Sequence, residues 1–205
     1  MRKISPLKIL ILFLGIFPLA KLFFDFFTNN FSPNPIQDLE QQTGFAAITL
    51  LVLSLAVTPL RILFKWRDLA KYRRTLGLYA FFYATLHISV YFAIDYAFNW
   101  SLLFEATLEK RYTLIGTTAY LLLIPLAITS YKWGIKKIGK NWRTLHKLVY
   151  LIAPMLILHF AWARKGDIFS LQGNILQPFI YGLFVFLLLV FRIPFIQKKL
   201  PSLRK

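Results

Sequence analysis

The chain has 205 residues, 58% of them hydrophobic and only 16% charged, with a formal net charge of +17 and no cysteine. Soluble domains average roughly 45–50% apolar and about 25% charged residues, so this balance points to a membrane protein. The missing cysteines exclude disulfides, thiolate metal sites, iron–sulfur clusters and covalently attached haem. Any metal or haem must be held by other ligands, and the chain offers three histidines.

Six apolar stretches follow one another, each close to the ~20 residues needed to span a bilayer. The first, Leu7–Phe27, has no small-residue cleavage site, because Pro18-Leu19-Ala20-Lys21 runs on into Leu22-Phe23-Phe24. It is therefore read as an uncleaved span rather than a signal peptide. Lys21 and Asp25 near its outer end are spaced i,i+4 and predict a local ion pair. The others are Gly44–Phe64, Leu76–Ile94, Thr113–Ser130, Thr144–Trp162 and Phe179–Phe195. The longest outer connections, Thr28–Thr43 and Asp95–Tyr112, are too small for a soluble catalytic domain. The expected architecture is all-α: one transmembrane domain over residues 1–205, with six helices.

Charge sets the orientation. Twenty of the 25 Lys and Arg residues fall on one side: at the N-terminus, between the second and third spans, between the fourth and fifth, and at the C-terminus. Seven of the eight acids (Asp25, Asp38, Glu40, Asp95, Glu105, Glu109 and Asp167) fall on the other. The basic side is expected to be cytoplasmic, with both termini inside. The positive charge is thus a topology signal and a contact for anionic membrane lipid, not a nucleic-acid footprint. Trp66, Tyr131, Trp133 and Trp142 at the inner interface, and Trp100, Tyr112 and Trp162 at the outer one, read as aromatic belts.

All three histidines lie within or at the ends of these spans: His87 in the third, His146 and His159 in the fifth. Ionisable groups in a membrane are costly and mark function, although a single histidine can equally serve to hydrogen-bond a neighbouring helix. Both spans start inside. His87 lies about 20 Å beyond Arg74, and His159 about 25 Å beyond Trp142, at 1.5 Å per residue. The two therefore share an outer depth and can ligate one haem iron from both sides. His146 stays near the inner surface. There Arg73, on nearly the same helix face as His87, and Arg74 suit a haem propionate or a flavin phosphate, or else simply snorkel to the interface. His146 and His159 are about 140° apart around an ideal helix, with Pro154 between them. Gly77, Gly116 and Gly182 are candidates for close backbone approach to a haem. There is no G-x-G-x-x-G nucleotide motif, so electrons must come from a quinol or a separate flavoprotein.

Several of these segments resemble a known family. They are Asn34-Pro35-Ile-Gln-Asp38 with Thr43-Gly44, Thr58-Pro59-Leu60, Arg73-Arg74-Thr-Leu-Gly77-Leu followed by Tyr83-Ala-Thr-Leu-His87, and Gly139-Lys140-Asn-Trp142-Arg-Thr-Leu-His146-Lys-Leu-Val-Tyr150. They resemble, in order and through nearly the whole chain, the MsrQ (YedZ) haem-binding membrane subunits of protein-methionine-sulfoxide reductase systems, within the ferric-reductase-like transmembrane superfamily. The resemblance implies a six-helix ferric-reductase-like bundle in the bacterial inner membrane, with haem b and FMN as cofactors. It implies electrons drawn from the quinone pool or a cytosolic flavin reductase. It also implies delivery to a periplasmic molybdopterin reductase, MsrP, which repairs methionine sulfoxide. His87, His146 and His159 match the family's haem histidines. Where the wider group has an inner histidine on the third helix, this chain has Arg73. The alternatives are a self-contained transmembrane metal-chelate reductase and a helix bundle with no redox role.

Overall fold

The computed structural model describes residues 5–166, 172–193 and 195. Arg2, Lys3, Asp167, Lys198, Lys199, Arg204 and Lys205, counted above for orientation, lie outside them. Among the described residues the long elements are all helical: α1 (Pro6–Phe27), α2 (Pro35–Leu63), α3 (Arg73–Ser89), α4 (Trp100–Glu109), α5 (Arg111–Ile128), α6 (Lys132–Ile138), α7 (Trp142–Leu145), α8 (Val149–Ala163) and α9 (Leu176–Val190). Five helical stretches are long and apolar enough to cross a membrane: Pro6–Phe27, Pro35–Leu63, Arg67–Asp95, Arg111–Ile128 and Lys132–Ala163. Leu176–Val190 is a shorter apolar helix. The membrane-bundle expectation holds, with three additions that the apolar runs do not show.

First, α2 begins nine residues before its apolar stretch. Asn34 caps it, accepting the Gln37 N–H on Oδ1 at 3.2 Å, and Pro35 occupies the first turn, where its missing N–H costs nothing. Second, the outer connection from Asp95 to Tyr112 folds into α4. Third, the fifth span is not one regular helix. Turns of 3₁₀ helix at Gly139–Asn141 and His146–Leu148 bracket α7, so His146 stands in a tight turn and only His159 lies on α8. The ideal-helix angle between them therefore does not apply. A π-helical turn, Val90–Asp95, directly extends α3 beyond His87, a distortion often found at functional sites.

The chain forms two compact units. The first holds the described residues up to Arg61 and from Trp66 to Trp100; the second holds Ile62–Lys65 and the residues from Ser101 onward. In the first unit α1 packs on α3. Pro18 interrupts α1, and the repair comes from a side chain. The Leu19 N–H donates to the Tyr83 hydroxyl (3.0 Å), which donates to the Gly15 carbonyl (2.7 Å). Tyr83 is fully buried and completes the i→i−4 bond that α1 would otherwise make itself. Gly15 makes room, since a Cβ there would collide with the Tyr79 ring. The predicted Lys21–Asp25 pair forms. The buried Asp25 carboxylate also accepts from Gln42 Nε2 of α2 (2.9 Å) and Asn30 Nδ2 (3.3 Å), which ties α1 to the first turns of α2.

In the second unit α8 packs between α5 and α9. Ala119, Ile152 and Ala161 are fully buried there. On α1 and α9, Phe13, Phe24, Phe26, Leu183, Phe184 and Phe186 are each more than half exposed. These are the apolar surfaces that lipid covers in a membrane bundle.

Candidate functional site

The first unit places His87 against α2. Its Nδ1 lies 2.9 Å from the Glu40 carbonyl oxygen. A carbonyl can only accept, so Nδ1 carries the hydrogen and the lone pair of the neutral ring falls on Nε2. The ring can lie this close to the α2 backbone because the next turn brings Gly44. A Cβ there would sit 3.2 Å from Nδ1 and 3.3 Å from Cε1.

The second unit repeats the construction. His159 Nδ1 donates to the Tyr112 carbonyl at 2.7 Å, and a Cβ on Gly116 would fall 2.5 Å from Nδ1 and 2.6 Å from Cε1. The spacing is the same in both seats. The glycine follows the carbonyl residue by four positions, and the histidine follows the glycine by 43. Four residues is one helical turn, so the glycine lies on the face from which the carbonyl residue leans toward the histidine. That periodicity is the sequence signal for Glu40, Gly44 and Tyr112.

The seats also differ in the residue before the glycine. The Thr43 hydroxyl also reaches the Glu40 carbonyl at 3.1 Å, besides its main bond to Leu39 O at 2.6 Å. The equivalent position in the second seat is Ile115, which has no hydroxyl.

His146 is held by the opposite nitrogen. Its Nε2 lies 3.1 Å from Thr129 Oγ1, and that hydroxyl donates its own hydrogen to the Pro125 carbonyl at 2.6 Å. The hydroxyl must therefore accept from His146, so here the hydrogen sits on Nε2 and the lone pair on Nδ1. The Trp142 ring stacks on the imidazole at 4.1 Å between centroids, while its Nε1–H donates to the Thr129 carbonyl at 2.8 Å. Gly134 of α6 presses on the Thr129 backbone, where a Cβ would come within 2.6 Å of Thr129 Cα. Thr129 thus joins α5, α6 and the His146 turn.

The other expected site residues separate. Arg73 is half-buried at the start of α3, where its carbonyl accepts from Ser54 Oγ at 2.9 Å; Arg74 is exposed. Of the three glycines, Gly116 lies against a histidine. Gly77 faces Ser54 of α2 and Gly182 faces Ile157 of α8, so both lie in contacts between neighbouring helices.

Among the described residues no three His, Asp or Glu side chains converge to hold a metal ion by themselves. Haem makes a smaller demand, since the porphyrin supplies four donors and the protein one or two. Imidazoles fixed by an Nδ1–H···O=C bond, with the lone pair on Nε2, are one form in which histidine binds a metal. His87 and His159 fit that requirement in tautomer.

The ferric-reductase-like transmembrane component family matches residues 43–157. The chain is 41% identical over 160 residues, 78% of its length and 70% of the relative's, to the protein-methionine-sulfoxide reductase heme-binding subunit MsrQ of Xanthomonas campestris pv. campestris (strain 8004). It is 35% identical over 192 residues, 93% of its length and 86% of the relative's, to the protein of that name from Herminiimonas arsenicoxydans. No solved structure matches. The chain, a multi-pass membrane protein, belongs to the ferric-reductase-like transmembrane family and, within it, to the MsrQ proteins.

Proposed function

We propose that this chain is the haem b electron-transfer subunit of a methionine-sulfoxide-repairing reductase in a bacterial inner membrane. One observation carries the reading: two histidines in two separate units are each fixed by a backbone carbonyl in the same metal-ready tautomer. A histidine that only joined helices would have no need for the same carbonyl, glycine and spacing twice. The relatives' name, a heme-binding subunit of a protein-methionine-sulfoxide reductase, supports the same role.

We propose that His87 and His159 would together hold one haem iron, on the shared depth read from the sequence. Haem, when bound, supplies a one-electron ferric–ferrous couple. The residues would supply orientation, and ligation by both histidines would suit electron transfer rather than oxygen binding. His146, with Arg73 nearby in sequence depth, is assigned to an inner level. To ligate iron through Nε2 it must first give up the Thr129 hydroxyl. Arg73 and Arg74 are assigned to a haem propionate or an FMN phosphate. Quinol or a cytosolic flavin reductase is the donor, and a periplasmic MsrP-type molybdopterin reductase is the acceptor.

The test is a dithionite-reduced absorption spectrum of the full chain purified from cells well supplied with haem, followed by mixing with an MsrP-type reductase. A b-type spectrum that reoxidises on mixing supports the proposal. Absence of haem overturns it in favour of a non-redox bundle. Reoxidation by ferric chelates but not by the reductase overturns it in favour of a self-contained metal reductase.

A further inference from the structure

We infer that Gly116 and Gly44 are positioning residues for the histidines, and that the two seats are unequal, with His159 held tightly and His87 loosely. The inference rests on the haem reading for its consequences, but its geometry stands without haem.

Each seat must let an imidazole approach a helix backbone closely enough for Nδ1–H to reach a carbonyl. Any side chain one turn further along stands in that space. At Gly116 the conflict is absolute, because real Cβ atoms do not come within 2.5 Å of a ring nitrogen. The ring would have to swing away and surrender the Tyr112 carbonyl, since α5 and α8 are packed along their lengths. At Gly44 the same atom would lie at 3.2 Å, a crowding that a shift of a few tenths of an ångström relieves.

The acceptors differ in the same sense. The Tyr112 carbonyl takes the His159 N–H at 2.7 Å, whereas the Glu40 carbonyl takes that of His87 at 2.9 Å. A shorter Nδ1–H···O bond pushes more electron density toward Nε2. His159 is therefore both the stiffer and the more strongly donating ligand.

The first measurement needs neither haem nor a variant. Two-bond ¹⁵N–¹H correlations on the haem-free chain in detergent are expected to show hydrogen on Nδ1 of His87 and His159 and on Nε2 of His146. Nε2–H at His87 or His159 would overturn the seats. The second compares Gly116→Ala with Gly44→Ala, using Gly182→Ala as a control whose contact, 3.2 Å to Ile157, is as tight as that of Gly44 but involves no histidine. Loss of an outer-shell partner typically weakens metal binding by about 10–100-fold. Gly116→Ala is expected to lower haem retention by at least about tenfold and to shift the low-spin g-values. Gly44→Ala should change retention less than about threefold, and Gly182→Ala should change neither retention nor g-values. If Gly116→Ala does not accumulate, the wild-type spectrum decides. The shorter bond at His159 is expected to place its Nδ1–H resonance downfield of that of His87, and coincident or reversed resonances would overturn the inequality. Wild-type protein without haem would overturn the functional proposal alone. Haem-loaded wild type, with Gly116→Ala and Gly44→Ala indistinguishable, would overturn this inference alone.

Discussion

The seats of His87 and His159 and the turn that holds His146 use the same side chain in two ways. In each seat the partner is a backbone carbonyl, which has no hydrogen to give and so forces the proton onto Nδ1. In the turn the partner is the Thr129 hydroxyl, already committed as a donor to Pro125, so it forces the proton onto Nε2. The difference teaches that the acceptor's own hydrogen-bond commitments, more than burial, decide which nitrogen of a membrane histidine is offered to a ligand. It also separates two histidines whose lone pair falls on Nε2 from one whose lone pair falls on Nδ1.

The sharpest way to break the comparison is to delete the rings. His87→Ala and His159→Ala are each expected to abolish the same haem signal, while His146→Ala leaves haem behind, as read from reduced-minus-oxidised spectra. Equal and total loss in all three would erase the distinction. Next in size is Tyr83→Phe, which strands the Leu19 N–H and the Gly15 carbonyl in a buried place. Leaving such groups unpaired costs about 1–3 kcal/mol each. A fall in thermal stability of the purified protein is the expected outcome, with a looser His87, one turn beyond Tyr83, and an unaltered His159. Thr129→Val should cost about 0.5–1.5 kcal/mol for a lost hydrogen bond. It frees His146 Nε2 without touching either seat, and the histidine ¹⁵N spectrum should show only His146 changed. The smallest effect belongs to Ser54→Ala, which removes the bond to the Arg73 carbonyl at the first turn of α3. About 1 kcal/mol or less is expected, with His159 unaffected.

The spans were legible because lipid demands long apolar runs, and such runs survive without any knowledge of packing. The histidines were legible because a titratable group is conspicuous in that setting. What escaped was written in the backbone. Glu40 and Tyr112 act through main-chain carbonyls, which every residue possesses, so their side chains gave no sign. Gly116 reads from sequence as a place for haem to approach; only the structure shows it as the seat of His159. Gly44 reads as the start of an apolar run and as part of the family motif. The early start of α2 was visible in Asn34-Pro35, a cap followed by a first-turn proline, yet polarity made that stretch look like loop. The 3₁₀ turn at His146 has no comparable local signal, because it arises from Trp142 and Thr129 closing on each other across α6 and α7.

The hydroxyl of Tyr83 has a consequence for how the protein is made. A helix entering hydrocarbon must satisfy its own peptide groups, yet α1 crosses with an open rung between Gly15 and Leu19 that only a residue 64 positions after Leu19 can close. Until α3 arrives beside it during biosynthesis, α1 is an unfinished span. Its docking with α3 is thereby favoured over partners that bring no hydroxyl to that level.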